Sequence, residues 1–242
     1  MKLLFALLLA GAAALAPCVT LAATSAAPFE DTLAQRTLAC TACHGAQGRA
    51  APDGFYPRLA GKPAGYLYNQ LLHFRDGRRH YGLMTRLLDP LSDAYLLEIA
   101  HHFASLELPY SAPAPSRAPA EQLARGRQLA LNGDARSGLP ACAQCHGASL
   151  TGVQPNTPGL VGLPRAYLSA QMGAWRSGQR SAHAPDCMAA IAKRLAPDDL
   201  NAVAVWLSSV PVPADAKPAA RLERPPPVAC GSAVLPAGRA TP

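Results

Sequence analysis

The chain has 242 residues, 50% of them hydrophobic but only 6% aromatic, with a formal net charge of +7. That length allows two small domains, each too poor in large side chains to build much of a core alone. The basic excess falls in no basic run interleaved with aromatics, which excludes the usual nucleic-acid surface, while steering toward an acidic partner or an anionic membrane surface fits it.

Lys2 is followed by an apolar run from Leu3 to Ala16 and then by small residues. This is the pattern of a secretory signal peptide, too short to span a bilayer comfortably. It is assigned to residues 1–22, with cleavage after Ala22 or Ala23, and an uncleaved anchor is the alternative. Cys18 would leave with it, since a lipoprotein site wants a small residue where Pro17 stands. No later segment reads as transmembrane, so the mature protein is expected to be soluble and exported.

A first domain is expected over 29–108. Glu30–Ala39 reads as a helix running into Cys40-Thr41-Ala42-Cys43-His44-Gly45. C-x-x-C-H is the pattern of c-type haem attachment. Two thiols add to the two vinyl groups of one haem, and the adjacent histidine ligates the iron. Ala46–Gly65 is rich in Gly and Pro and reads as loop. Tyr66–Arg75 has apolar residues at helical spacing and stops at Gly77. Arg78–Leu91 reads as loop or irregular chain. Ser92–Leu106 reads as a helix, with Ser92 as N-cap and Asp93 in the first turn.

Residues 109–118, with Pro109, Pro113 and Pro115 among Ala and Ser, form a stiff linker. A second domain is expected over 119–211. Ala120–Leu131 reads as a helix, followed by a second motif, Cys142-Ala143-Gln144-Cys145-His146-Gly147. Tyr167–Arg176 reads as a helix ending at Gly178, and Pro197–Ser209 as another with proline in its first turn. Residues 212–242 are a Pro-rich tail without expected regular structure.

The two halves repeat. At a shift of 101, Pro57, Leu59, Gly61 and Pro63 meet Pro158, Leu160, Gly162 and Pro164; Tyr66, Gln70, Arg75 and Gly77 meet Tyr167, Gln171, Arg176 and Gly178. Two CxxC pairs about a hundred residues apart are far outside zinc-site spacing, and no strand pattern adjoins either motif to suggest a thioredoxin-like dithiol. The pattern therefore implies two haem c groups, one per domain. Their four propionates, with Lys2 lost, would bring the net charge near +2.

A thioether or a second imidazole can supply each sixth ligand. Met84 lies 40 residues after His44 and Met188 lies 42 after His146; each precedes by seven a leucine, Leu91 or Leu195, at the start of the last helix. That paired placement favours Met84 and Met188. Met172 pairs with Leu71 and reads as packing. His73, His80, His101, His102 and His183 are the rivals and read as exposed surface residues.

The arrangement resembles the cytochrome c4 family of dihaem class I cytochromes c. The carrying residues are both CxxCH-Gly motifs, Pro57-Arg58-Leu59-Ala60-Gly61, Tyr66-Leu67 with Gln70, Phe74-Arg75-Asp76-Gly77, and Met84 followed by Leu91-Ser92-Asp93, with their counterparts in the second half. The resemblance covers most of the mature chain except linker and tail. It implies an all-α fold of two tandem cytochrome c domains related by a pseudo-twofold. It implies a periplasmic electron carrier between a respiratory donor complex and a terminal oxidase or reductase, with room for peripheral membrane association. It also implies that the Pro57 and Pro158 carbonyls accept from Nδ1 of His44 and His146, and that Tyr66, Tyr167, Arg75 and Arg176 satisfy haem propionates. One departure is Cys187 beside Met188, with Cys230 in the tail. A Cys187–Cys230 disulfide, tying the tail against the second haem, is the economical reading in an oxidising compartment; two free thiols are the alternative.

With His and Met on each iron no substrate position is open, and the expectation is an electron carrier rather than an enzyme. A dihaem peroxidase-like enzyme with one open iron is a competing reading. A dedicated cytochrome subunit of a membrane dehydrogenase or oxidase is another.

Overall fold

The computed structural model describes residues 31–113 and 115–236; the expected signal peptide and Cys18 lie outside them. The described chain is helical apart from one two-stranded hairpin. No described helix is long and apolar enough to cross a membrane.

The first half comprises α1 (Leu33–Arg36), α2 (Leu38–His44), α3 (Ala64–Arg75), α4 (Gly82–Leu88) and α5 (Asp93–Ala104). The one helix expected up to the first motif is broken in two at Thr37. Its buried hydroxyl donates to the carbonyls of Leu33 (2.9 Å) and Ala34 (3.2 Å), and α2 starts from there. Such a local bond competes with the helical ladder. Arg78–Leu91, expected to be loop, contains α4 around Met84. The run Leu83-Met84-Thr85-Arg86-Leu87-Leu88 is a short helix anchored by Thr85, whose hydroxyl donates to the Phe74 carbonyl (3.1 Å). The end of α3 thus holds it in place, a tertiary contact that propensity does not encode. Ser92 caps α5 by accepting from the Tyr95 N–H (3.3 Å). Leu67, Tyr68, Leu72 and Phe74 of α3 pack with Leu96, Ile99, Ala100 and Phe103 of α5 and with Leu88 of α4.

The second half comprises α6 (Ala120–Asn132), α7 (Ala143–His146), β1 (Gly152–Val153), β2 (Thr157–Pro158), α8 (Arg165–Ser177), α9 (Cys187–Arg194) and α10 (Pro197–Ser209). β1 and β2 pair antiparallel just beyond the second motif, where no strand was expected. Helices α6 and α10 cross at Gly126, where a Cβ would run into the Ala202 carbonyl and the Trp206 side chain. Asp186 caps α9 by accepting from the Ala189 N–H (2.9 Å).

The halves meet along a short antiparallel pairing of Arg79 with Arg180. The Ser181 N–H donates to the Arg78 carbonyl (2.6 Å) and the His80 N–H to the Gln179 carbonyl (3.0 Å). Gly65 of α3 abuts Pro155 and Asn156 of the hairpin turn, where no side chain would fit.

The tail forms no helix among the described residues but is fastened at many points. Ala219 exchanges backbone hydrogen bonds with Gly152 and Gln154 (2.9 and 2.8 Å). Lys217 pairs with Glu107 (2.6 Å), and Cys187 and Cys230 are joined in a disulfide. The Ala233 N–H donates to Asn69 Oδ1 (2.7 Å), and Ala233 and Leu235 pack on the core of the first half.

Candidate functional site

Each half encloses one apolar cavity, of about 470 Å³ in the first and about 410 Å³ in the second. Cys40, His44 and Met84 line the first; Cys142, Cys145, His146 and Met188 line the second. Residues 40 to 50 positions apart in sequence are thus brought to one chamber. Met172 also lines the second cavity, packed beside Leu129, Leu139 and Leu195.

His44 and His146 are buried at the C-terminal ends of α2 and α7. Nδ1 of His44 lies 2.8 Å from the Pro57 carbonyl oxygen, and Nδ1 of His146 lies 2.7 Å from that of Pro158. The carbonyl can only accept, so Nδ1 carries the proton and Nε2 keeps its lone pair. Burial pushes both imidazoles below their ordinary range, which favours the neutral form a metal needs.

The cavity walls suit a haem better than a zinc ion. Burial pushes the Cys142 thiol up to about 11, which disfavours the thiolate that zinc requires but not an uncharged thioether. Among the described residues no three His, Cys, Asp or Glu side chains cluster as a metal site.

A second test concerns buried charge. Arg79 and Arg180 are 8% and 5% exposed, and neither has a carboxylate partner among the described residues. Their guanidinium groups share two amide oxygens. Arg79 donates to Gln70 (3.0 Å) and Gln171 (2.6 Å), and Arg180 to Gln171 (2.8 Å) and Gln70 (2.9 Å). Arg79 also donates to the Tyr167 hydroxyl (3.1 Å). Burial pulls Arg180 down to about 10. Burying two like charges without an anion is costly. Both face cavities, Arg79 the first and Arg180 the second, where haem propionates would supply the anion. His73 and Trp175 line the second cavity with buried ring nitrogens that lack any partner, two further polar atoms that await one.

This corrects the expectation for Arg75 and Arg176, which line neither cavity. Arg75 is spent on Asp93 (2.6 Å), Asp76 (3.0 Å) and the Leu91 carbonyl (3.1 Å). Arg176 donates to the Ala192 and Leu195 carbonyls (2.9 and 2.5 Å). Both clamp the turn that enters the last helix of their half. Arg79 and Arg180 align at the same shift of 101, the one signal of their pairing that the sequence carries. Tyr66 and Tyr167 line both cavities, as do Gln70 and Gln171. His80 and His101 are exposed, but His73 is buried with its ring centroid 5.1 Å from that of His183. Burial, helped by His183 and nearby arginines, lowers its pKa to about 4.

Two helical domains, each bringing a CxxCH histidine and a methionine to one apolar chamber, define a dihaem c-type cytochrome. No family model matches the chain. A thiosulfate dehydrogenase electron acceptor of Thiomonas intermedia is 43% identical over 72% of this chain and 79% of its own. The structure of reduced cytochrome c4 from Pseudomonas stutzeri matches with a TM-score of 0.63 at 30% identity, over 73% of this chain and 96% of that one. A thiosulfate dehydrogenase, TsdBA, from Marichromatium purpuratum matches with a TM-score of 0.63 at 34% identity, over 71% of this chain but only 36% of that one. The chain belongs to the cytochrome c4 family, and it is a dihaem electron-transfer cytochrome.

Proposed function

We propose that the protein is a periplasmic electron carrier that accepts electrons from a thiosulfate-oxidising dehydrogenase and delivers them to a terminal oxidase or reductase. The observation that carries this reading is the pairing of His44 with Met84, and of His146 with Met188, as lining residues of one cavity each. Haem supplies a one-electron iron couple. Cys40 and Cys43 would tether the first group and Cys142 and Cys145 the second. His44 and His146 would ligate the iron through Nε2, and Met84 and Met188 would supply its thioether ligand. A histidine and a methionine on one iron would raise its potential and leave no position for a substrate, which supports a carrier rather than an enzyme. Pro57 and Pro158 fix the imidazoles, and Arg79, Arg180, Tyr66 and Tyr167 offset the propionates. Residues 1–22 direct export, 29–108 and 119–211 are the two haem domains, 109–118 links them, and 212–242 is the tail. The thiosulfate assignment rests on the relative named as that enzyme's electron acceptor.

The test mixes the oxidised dihaem protein with a thiosulfate dehydrogenase and thiosulfate and follows the haem bands. Reduction of both haems that requires the dehydrogenase is expected. Reduction by thiosulfate alone, or hydrogen peroxide turnover, would overturn the carrier reading.

A further inference from the structure

The repeat is broken at a polar position of the joint between the halves. His73 of the first half lines the second cavity and not the first. Its counterpart at the shift of 101, Ala174 of the second half, lines the first cavity and not the second. Trp175 lines the second cavity where its counterpart Phe74 lines the first. The same crossing thus brings an imidazole to the second chamber and a methyl group to the first.

His73 is 3% exposed, and its Nε2, like Nε1 of Trp175, is buried with no partner among the described residues. Left so, each nitrogen would carry its full desolvation cost. The groups around His73 are basic. His183 lies 5.1 Å away, centroid to centroid, and Arg78, Arg79 and Arg180 act on the imidazole in the same sense. Arg180 is itself stacked on Trp175 (3.8 Å). Among the described residues Asp186 is the only carboxylate lining the second cavity, and it is spent on the Ala182 and Ala189 N–H groups (2.7 and 2.9 Å). The tail residues that line this cavity, Val228, Cys230, Gly231 and Ser232, add no charge. Burial and these basic neighbours hold His73 down at about 4. A carboxylate placed beside it reverses that balance.

We propose that His73, supplied by the first domain, is a positioning residue and the proton site for the haem of the second domain: its Nε2–H donates to a propionate carboxylate there, and its Nδ1 takes up a proton from solvent when that iron gains an electron. Ferric iron, one electron from the redox donor and one proton from solvent give ferrous iron and an imidazolium, and no bond of the haem is made or broken. Reduction removes one positive charge, so the imidazolium is more stable beside the ferrous haem. By reciprocity the electron binds more tightly when His73 is protonated. The electron affinity of the second haem therefore falls as pH rises through this titration, while the first chamber has Ala174 in the equivalent place and no such proton site. Lys62, which burial pulls down to about 8, lines both cavities, so its titration acts on both haems and is told apart. The inference rests on haem occupying the second cavity. Absence of covalent haem would overturn that reading, whereas a flat pH profile in a protein with two haems overturns only this one.

The test is a set of redox titrations of the holoprotein between about pH 5 and about pH 8, followed by haem methyl resonances assigned through contacts to the side chains of each cavity. Wild type is compared with His73→Gln, which keeps an N–H donor but cannot take the proton, and with His183→Gln. Over that range the second haem of wild type is expected to lose about tenfold in electron affinity, about 59 mV for a one-electron couple, and the first less than about threefold. His73→Gln should hold the second haem within about threefold, and His183→Gln should keep the wild-type change. Should a variant not mature with two haems, the His73 ring resonances of wild type, assigned through contacts to His183 and Trp175, decide the matter: the proton must bind about tenfold more tightly in the reduced protein than in the oxidised one. A flat wild-type profile at the second haem overturns the proposal. So does a profile that survives His73→Gln, one that His183→Gln alone removes, or equal profiles at both haems.

Discussion

Nδ1 of each motif histidine is held by a proline carbonyl, so the backbone of a loop selects the tautomer that leaves Nε2 free. The sixth position depends instead on one side chain, and its replacement separates the two haems. Met188→His is expected to lower the potential of the second haem, because bis-histidine ligation loses the thioether that favours the ferrous state. It should also halve the weak red methionine–iron charge-transfer band of the oxidised protein, and Met84→His should remove the other half. A full band in either variant would show that the replaced methionine is not a ligand. The same scale explains the misreading of Arg75 and Arg176. Pairing by repeat identifies an equivalent position but not its direction. A guanidinium at the end of α3 or α8 reaches the turn that enters the last helix of its own half, whereas four residues further on Arg79 and Arg180 turn into the interface.

Among the elements, the helices that surround the motifs were legible because their signals are local. Ser92 announces α5 and Pro197 announces α10. Helix α4 and the β1–β2 hairpin were not legible, since each owes its shape to what it packs on: α4 to the Phe74 carbonyl, and the hairpin to Ala219 of the tail. The tail's path was illegible for the same reason. A proline-rich segment has no periodicity to read, yet here it crosses both halves. Val228, Cys230, Gly231 and Ser232 line the second cavity beside Cys187 and Met188. Gly231 lies so close to the His183 and Ala184 carbonyls that a Cβ would collide with them, and its N–H donates to the Pro185 carbonyl (2.9 Å). Cys230→Ser is expected to cost about 2–4 kcal/mol of unfolding free energy. It should also speed cyanide binding at the second haem while leaving the first unchanged. Denaturant midpoints and stopped-flow spectra measure the two effects. Equal acceleration at both haems would mean that the tail does not act locally.

At the scale of the whole molecule, the fold class and the two haem groups follow from one repeated motif, whereas the joint between the halves follows from residues that only the folded chain brings together. Gln70 and Gln171 each accept from both Arg79 and Arg180, one arginine from each side. Arg79 also lies over Phe74 (4.4 Å) and Arg180 over Trp175 (3.8 Å), so each cation is stacked on its own half and bonded to both. Removing one arginine still leaves each glutamine oxygen with a donor from the other. Removing both strands two buried amide oxygens, at about 1–3 kcal/mol each. Arg79→Met and Arg180→Met together should therefore destabilise the holoprotein by more than the sum of the single effects, with a coupling of about 0.5–3 kcal/mol. Guanidinium unfolding followed by tryptophan fluorescence reads this out, since Trp175 lies under one of the two cations. Additive effects would mean that each half stabilises its arginine independently and that the joint does not work as one unit.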